Sequence, residues 1–93
     1  MRTIRRTTQF KRDYKRELKG QHRPTLDGVF RAIILLLLAD SPLSEKHRDH
    51  PLSGKWKDFR DCHVRPDLVL IYRKPDDTTL ELVRLGSHSE LGL

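Results

Sequence analysis

The sequence predicts an α+β fold in which one strand and two helices precede three further strands. The first half repeats apolar residues every three or four positions, which is the period of amphipathic helices. Leu68 to Tyr72 form a continuous apolar run that fits a central strand buried on both faces. Pro75 to Thr78 have the composition of a hairpin turn, so another strand follows. We therefore expect the order β-α-α-β-β-β, with two N-terminal helices packed on a small, antiparallel-rich sheet.

The first strand and helix are predicted between Arg2 and Gly20. The segment from Arg2 to Thr7 contains β-branched residues and no Gly or Pro, and its arginines suit the edge of a sheet. Thr7 or Thr8 can cap the helix that follows, and Gly20 can end it. The helix carries one narrow apolar stripe, formed by Phe10, Tyr14 and Leu18.

The second predicted helix begins near Pro24, a position that tolerates proline, and ends before Asp40. Leu35 and Leu36 extend its apolar surface almost all the way round, so we expect it to be buried on most sides or covered by a partner. The main apolar face is formed by Leu26, Val29, Phe30, Ile33, Ile34, Leu37 and Leu38.

The second half is predicted to form three strands after a polar loop. The loop runs from Leu43 to Ser53, and the final segment, Gly86 to Leu93, is expected to be a short tail. The apolar alternation of the first of these strands is imperfect, so a β-bulge is expected there. The predicted strands are Trp56 to Val64, Leu68 to Tyr72 and Thr79 to Leu85.

The chain length of 93 residues predicts a single domain that spans residues 1–93. A domain of this size buries only about 60–65% of its unfolded surface, so it holds one modest core. A surface site that acts on a large polymer suits this size better than a deep ligand cavity.

The net charge of +6 is concentrated at one end of the chain. Residues Met1 to Pro24 contain nine Lys or Arg residues against two acids, a net charge of +7, and the remainder carries −1. A clustered basic surface attracts polyanions, which indicates nucleic acid or an acidic protein partner. The alternative is a solubilising surface without a partner.

The cysteine count and the apolar runs indicate the cellular compartment. A single cysteine, Cys62, excludes an intramolecular disulfide and fits a reducing environment. The apolar run from Ala32 to Ala39 has eight residues, whereas a membrane span needs about 20. We therefore expect a cytoplasmic protein that is not associated with a membrane.

Three histidines of the second half suit metal-free cleavage of RNA. In that reaction a base deprotonates the ribose 2′-hydroxyl, which attacks its own 3′ phosphate, and an acid protonates the departing 5′ oxygen. Imidazoles suit both roles because their unperturbed pKa is about 6.5. His50, His63 and His88 are the candidates, and Asp67 could orient an imidazole or accept the proton.

Other interpretations of these residues are less favourable. His47, His50 and the pair Cys62-His63 lack the spacing of a zinc motif, so we expect neither a metal nor another cofactor. Trp56 and Phe59 are more typical of core packing than of base stacking. The possible phosphate contacts, which could equally be solvated or paired with acids, are Lys55, Lys57, Arg60, Arg65, Arg73 and Arg84.

The whole pattern resembles the RelE/ParE superfamily of bacterial type II toxins, most closely its YafQ branch. The resemblance covers the element order and nearly the full chain. It rests on three motifs: Asp49-His50-Pro51-Leu52-x-Gly54-x-Trp56-Lys57-x-Phe59-Arg60-Asp61-x-His63-Val64-x-Pro66-Asp67, Leu70-Ile71-Tyr72-Arg73 and Arg84-Leu85-Gly86-Ser87-His88. This resemblance implies a RelE-like fold and a ribosome-dependent mRNA endoribonuclease that inhibits translation. It also implies the 70S ribosome, mRNA and a cognate antitoxin as partners, the antitoxin being an acidic ribbon-helix-helix protein.

The resemblance also implies roles for individual residues. The branch's catalytic set corresponds to His50, His63, Asp67 and His88, with His88 as the general acid. The base is left open among the other three residues. The implied phosphate stabilisers are Arg60 and Arg84, and the additional substrate contacts are Lys55 and Arg65.

Two departures from the branch and two alternative functions remain. Leu68 and Gly92 occupy positions where the branch commonly has aromatic residues, which bears on RNA affinity and codon preference. One alternative is a gyrase inhibitor on the same fold, like the ParE branch. The other is a catalytically silent module that binds RNA or the ribosome.

Overall fold

The computed structural model describes residues 1–93 as one mixed, five-stranded sheet with a helical layer on one face, which confirms the α+β class. The strand order is β1-β5-β4-β3-β2; β1 pairs with β5 in parallel, and all other pairs are antiparallel. The strands are β1 (Thr3–Arg6), β2 (His50–Pro51), β3 (Arg60–Arg65), β4 (Leu68–Arg73) and β5 (Thr79–Gly86).

The first helix, α1 (Thr8–Leu18), begins where its sequence predicts. The Thr7 hydroxyl oxygen accepts a hydrogen bond from the Phe10 backbone N–H at 3.0 Å, so Thr7 is the cap. The same hydroxyl donates to the Val83 carbonyl at 2.7 Å. This single side chain therefore fixes both the start of the helix and its position against β5.

The second predicted helix is a continuous helical segment with an irregular middle. It consists of α2 (Arg23–Thr25) and α3 (Arg31–Leu38), joined by a π-helical turn, Leu26–Phe30. Its main apolar face is buried, but Leu35 and Leu36 are 55% and 38% exposed. Leu35 and Leu36 are therefore not buried within this chain, and their coverage by a partner stays a prediction. None of the helices combines the length and apolar character that crossing a membrane requires.

Two apolar clusters cover the opposite faces of the sheet. The larger contains 15 buried residues and lies between the sheet and the helices, with Phe10, Ile33 and Leu70 among them. The smaller one lies on the other face and contains Val69, Ile71, Val83 and Leu91, with Leu52, Trp56 and Phe59 packed against it. Residues Leu68 to Tyr72 are all buried, which confirms the prediction of a central strand. Trp56 and Phe59 pack against apolar residues as predicted, but on the face of the smaller cluster, so the expectation that they lie between the sheet and the helices is wrong.

Four strands rather than the predicted three follow the helices, because the short strand β2 forms inside the predicted loop, and the chain between β2 and β3 also differs from the prediction. Gly54–Trp56 form a 3₁₀ turn, and β3 begins at Arg60 rather than at Trp56. Trp56 packs edge-to-face on Phe59 with ring centroids 5.3 Å apart, so local aromatic contact replaces the alternation of an extended strand. The expected β-bulge is confirmed, since the pairing register shifts between His63 and Arg65.

The final segment is helical rather than an irregular tail. After β5, the chain forms α4 (His88–Leu91). Ser87 and Glu90 make the two reciprocal hydrogen bonds of a capping box, at 2.8 and 3.2 Å, and Gly92 ends the turn at a φ of 71°. Leu91 is 3% exposed and anchors the turn on the smaller apolar cluster.

Candidate active site

The pairing of β2 with β3 sets two of the site residues opposite each other. His50 is the register partner of Asp61, and His63 follows two positions later on β3. Side chains alternate along a strand, so Asp61 and His63 share one face. Cys62 and Val64 belong to the main core on the helical side, which means that Asp61 and His63 face away from the helices.

The third histidine is supplied by α4. His88 is the first residue of this helix, directly after the capping residue Ser87. The capping box and the buried Leu91 hold the short turn against the sheet. As a result, the rings of His63 and His88 lie with centroids 4.9 Å apart and an angle of 65° between their planes.

Asp61 is the carboxylate at the centre of this group. It is only 2% exposed, and its Oδ1 atom lies 2.8 Å from Nε2 of His50. The contact is an ion-pair distance, but Oδ1 receives no well-aligned hydrogen bond. Burial raises the pKa of Asp61, while positive charge on His50, His63 and His88 acts in the opposite direction. One buried carboxylate therefore interacts with all three imidazoles.

His63 is electrostatically distinct within this group. Burial and the charge of His88 lower the pKa of His63 from 6.5, whereas Asp61 acts to raise it. The position of its backbone is fixed by Nδ1 of His47, which lies 2.8 Å from the His63 carbonyl oxygen. A lowered pKa favours the neutral imidazole at pH 7, the form that accepts a proton.

Asp67 lies outside the group of three histidines. It is an exposed residue of the turn between β3 and β4, and its Oδ2 atom lies 3.4 Å from Nε2 of His22. It borders a shallow depression together with Gln21, Ser87 and Glu90. The structure thus brings His50, His63 and His88 together around Asp61, and the catalytic role of Asp67 stays a prediction.

The predicted phosphate stabiliser Arg84 is bound to an acidic side chain. Its guanidinium donates hydrogen bonds to Asp13 at 2.8 and 3.3 Å, and the hydrogen bond to Asp13 raises the pKa of Arg84. Asp13 is 4% exposed and also accepts from the Leu85 backbone N–H at 3.0 Å. This arginine therefore joins α1 to β5.

The other predicted phosphate contacts divide into two groups. Arg60 donates to Asp49 at 3.3 Å, and Arg65 donates to Thr25 at 3.1 Å, both on the helical side of the sheet. Lys55 lies on the side of the histidines: its Nζ atom is 3.9 Å from the point where a Cβ on Gly92 would stand. Of the predicted cations, Lys55 is the one placed beside α4.

The geometry also permits a metal ion. One potential ligand atom from each of His50, Asp61 and His63 lies within 4.8 Å of the others. Two imidazoles and a carboxylate suit a transition metal, and the same set suits proton transfer. Cys62 is directed into the main core, where burial raises the pKa of its thiol.

Asp61 is the site residue that reasoning from the sequence missed. Its i, i+2 spacing from His63 on a predicted strand was the available signal, because that spacing places both side chains on one face. No sequence pattern indicates the pairing of Asp61 with His50, because β2 has only two residues and is too short to be predicted as a strand.

Comparisons with known proteins identify the family of this chain. The family model for the bacterial toxin of type II toxin–antitoxin systems, YafQ, matches residues 2–92. The mRNA interferase toxin YafQ of Escherichia coli K12 is 37% identical over 95% of this chain and 97% of its own length. A copper-bound mutant toxin from Helicobacter pylori is 43% identical, with a TM-score of 0.86 over 98% of this chain and 99% of its own. YafQ in the E. coli DinJ–YafQ complex is 35% identical, with a TM-score of 0.81 and 98% of both chains covered. The chain therefore belongs to the YafQ family of bacterial toxins from type II toxin–antitoxin systems.

Proposed function

We propose that this protein is an mRNA interferase, an endoribonuclease that cleaves mRNA on the ribosome and thereby inhibits translation. The observation that carries this proposal is the convergence of His50, His63 and His88 on the buried carboxylate of Asp61. Acid–base cleavage of RNA needs a neutral base and a protonated acid. A fixed carboxylate beside the imidazoles balances the positive charge of the protonated one. The relatives named as mRNA interferase toxins support the choice of mRNA as the substrate.

In the proposed reaction, neutral His63 removes the proton of a ribose 2′-hydroxyl. The resulting oxygen attacks the adjacent phosphorus, and the bond from phosphorus to the 5′ oxygen breaks. Protonated His88 donates its proton to that leaving oxygen, which gives a 2′,3′-cyclic phosphate and a 5′-hydroxyl end. The 4.9 Å separation of the two rings supports this assignment, because one scissile phosphate can reach both.

Asp61 and His50 complete the site without a metal. The Asp61 carboxylate balances one positive charge among the imidazoles, and its 2.8 Å contact orients His50 toward the phosphate. Asp67 is the alternative base, and its exposure and contact with His22 make it less suitable than His63. An Asp67→Asn variant that loses all cleavage, with His63→Gln still active, would reverse the assignment.

The proposal includes a cognate antitoxin. YafQ of E. coli has been solved in a complex with DinJ, so we infer an equivalent partner for this toxin. The net charge of +7 over Met1 to Pro24 and the exposed Leu35 and Leu36 favour an acidic, amphipathic segment. A ribbon-helix-helix repressor would carry such a segment, and the complex would then regulate its own transcription.

A purified translation reaction tests the proposed activity. The 5′ ends of the transcripts are mapped after addition of the native protein, His88→Gln or Ser89→Ala, a control at an exposed position of the same turn. We expect discrete, ribosome-dependent cuts with 5′-hydroxyl ends from the native protein and Ser89→Ala, and none from His88→Gln. Uncut transcripts with folded native protein, or cuts that persist in His88→Gln, would refute the mechanism.

A further inference from the structure

A depression beside His63 contains two basic residues, Lys46 and Arg48, that take no part in the proposed proton transfers. It is lined by Glu45, Lys46, Arg48, His63 and Pro66, without a single apolar side chain other than the proline. Glu45 is the one acid in this lining, against the two cations Lys46 and Arg48. His63, the residue that we assign as the base, is part of this lining.

The loop that carries these cations is held in place by its own hydrogen bonds. Glu45–His47 form a 3₁₀ turn that is closed by the Arg48 N–H, which donates to the Glu45 carbonyl at 3.0 Å. The contact between Nδ1 of His47 and the His63 carbonyl, at 2.8 Å, attaches the turn to β3. The backbone of Arg48 has a φ of 46°, a left-handed conformation that residues other than glycine rarely adopt.

Lys46 and Arg48 differ from the arginines first considered as phosphate contacts. Both side chains are exposed, and neither takes part in any ion pair or side-chain hydrogen bond of the structure. Arg60 and Arg84, in contrast, are paired with Asp49 and Asp13. Unpaired cations bind a phosphate without first giving up an internal partner.

We propose that Arg48 and Lys46 form a subsite for a backbone phosphate of the RNA strand, next to the scissile phosphate held by His63 and His88. The proposal rests on the endoribonuclease function proposed above and adds residues that hold its substrate. The strained backbone at Arg48 supports it, because such conformations are retained where they direct a functional side chain. Arg48 and His63 also line the same depression, which supports a phosphate site beside the base.

The location favours RNA over an acidic protein partner. The two cations share their depression with His63, so an anion bound there lies next to a residue of the candidate active site. The neighbouring depression is lined by Lys46 and His47 together with the apolar Val29 and Val64, so the polar surface around Lys46 extends along the end of β3. A polymer with a phosphate at every residue matches successive cations along such a surface.

The decisive experiment measures cleavage of ribosome-bound mRNA at several salt concentrations. We expect Arg48→Gly to raise KM about tenfold with kcat within about twofold, since one charged hydrogen-bonded contact to the substrate is lost. Glycine also relieves the left-handed backbone, so a loss cannot come from added strain. Arg48→Lys should restore most of the KM. Arg31→Ala is the matched control, because Arg31 is an exposed cation of α3 without an ion pair.

Direct binding gives a second, independent readout. The probe is a short 2′-O-methyl RNA, which lacks the attacking hydroxyl and stays intact whether or not the protein is a nuclease. The dependence of log Kd on log salt should become shallower by about 0.7 for each phosphate contact that Arg48→Gly or Lys46→Ala removes. Glu45→Gln should tighten binding, because it removes the one negative charge of the lining.

These two readouts separate the subsite from the proposed function. If the native protein does not cleave but the salt slopes change as stated, the nuclease function fails and the RNA subsite stands. If the native protein cleaves while Arg48→Gly and Lys46→Ala match Arg31→Ala in KM and salt slope, the subsite is refuted. A change confined to antitoxin binding would also refute it.

Discussion

His50 and Asp61 face each other across the β2–β3 pair, with Nε2 of the histidine 2.8 Å from Oδ1 of the acid. This contact joins an exposed edge strand to the least accessible carboxylate of the site. The carboxylate of Asp61 is shielded from water at the centre of the site. Asp61 should therefore act through the imidazoles, as a positioning residue.

We expect Asp61→Asn to lower kcat about 10- to 100-fold with KM within about twofold, because the imidazoles lose the charge that orients them. Asp61 acts to raise the pKa of His63, so its removal should also move the acidic limb of the pH–rate profile to lower pH. Asp58→Asn, at an exposed position, is the control. An unchanged pH profile, whatever the loss of rate, would indicate a purely structural role.

The lowered pKa of His63 makes stability depend on pH with a definite sign. Burial and His88 hold the pKa of His63 below 6.5, so the folded protein binds this proton less readily than the unfolded chain. The corresponding stability is present above pH 6.5 and is lost as the pH falls from there through the folded-state pKa. His63→Gln should consequently show a smaller fall in Tm between neutral and mildly acidic pH than the native protein. A steeper fall in the variant would contradict the burial argument.

The Arg84–Asp13 pair should contribute to stability. Arg84→Ala removes the closer of the two guanidinium groups that pair with the buried Asp13, while Arg16 at 3.3 Å remains, and we expect a loss of about 1.5 kcal/mol in the free energy of unfolding. A double-mutant cycle with Asp13→Asn, measured by urea unfolding, should give a clear coupling energy between the two positions. If the free-energy changes of the two substitutions are additive instead, the two side chains do not stabilise each other, and a role of Arg84 in phosphate binding becomes the better explanation.

Transition metals should inhibit the enzyme. A metal ion on His50, Asp61 and His63 would occupy the nitrogen lone pair that accepts the substrate proton. We expect added Cu²⁺ to stop cleavage, and a chelator that spares Mg²⁺ to restore it. The same chelator added alone should leave the native activity unchanged. Activity lost on chelation and regained with a metal would overturn the metal-free mechanism.

Features encoded locally were predictable from the sequence, and long-range pairings were not. The Thr7 cap, the buried run at Leu68 to Tyr72 and the bulge near His63 each depend on neighbouring residues. The partner of Arg84 lies 71 positions away on α1, and no local pattern indicates that pairing.

The residues of the candidate site also fall into those that the sequence indicates and those that depend on long-range pairing. The histidines were identified through the motif, and their positions at strand ends were consistent with proximity. Asp61 was missed because its role depends on a register with a two-residue strand. The helix α4 was also missed, although Ser87 and Glu90 have the spacing of a capping box, because four residues are too few for a periodic pattern.

The two-faced burial of β4 has an evolutionary consequence. The sheet separates the helical layer, with its basic first helix and its exposed leucines Leu35 and Leu36, from the histidines on the opposite face. The proposed antitoxin surface and the proposed active site therefore consist of different residues on opposite faces of the sheet. Selection on the proposed partner surface consequently acts on other residues than selection on the proposed reaction.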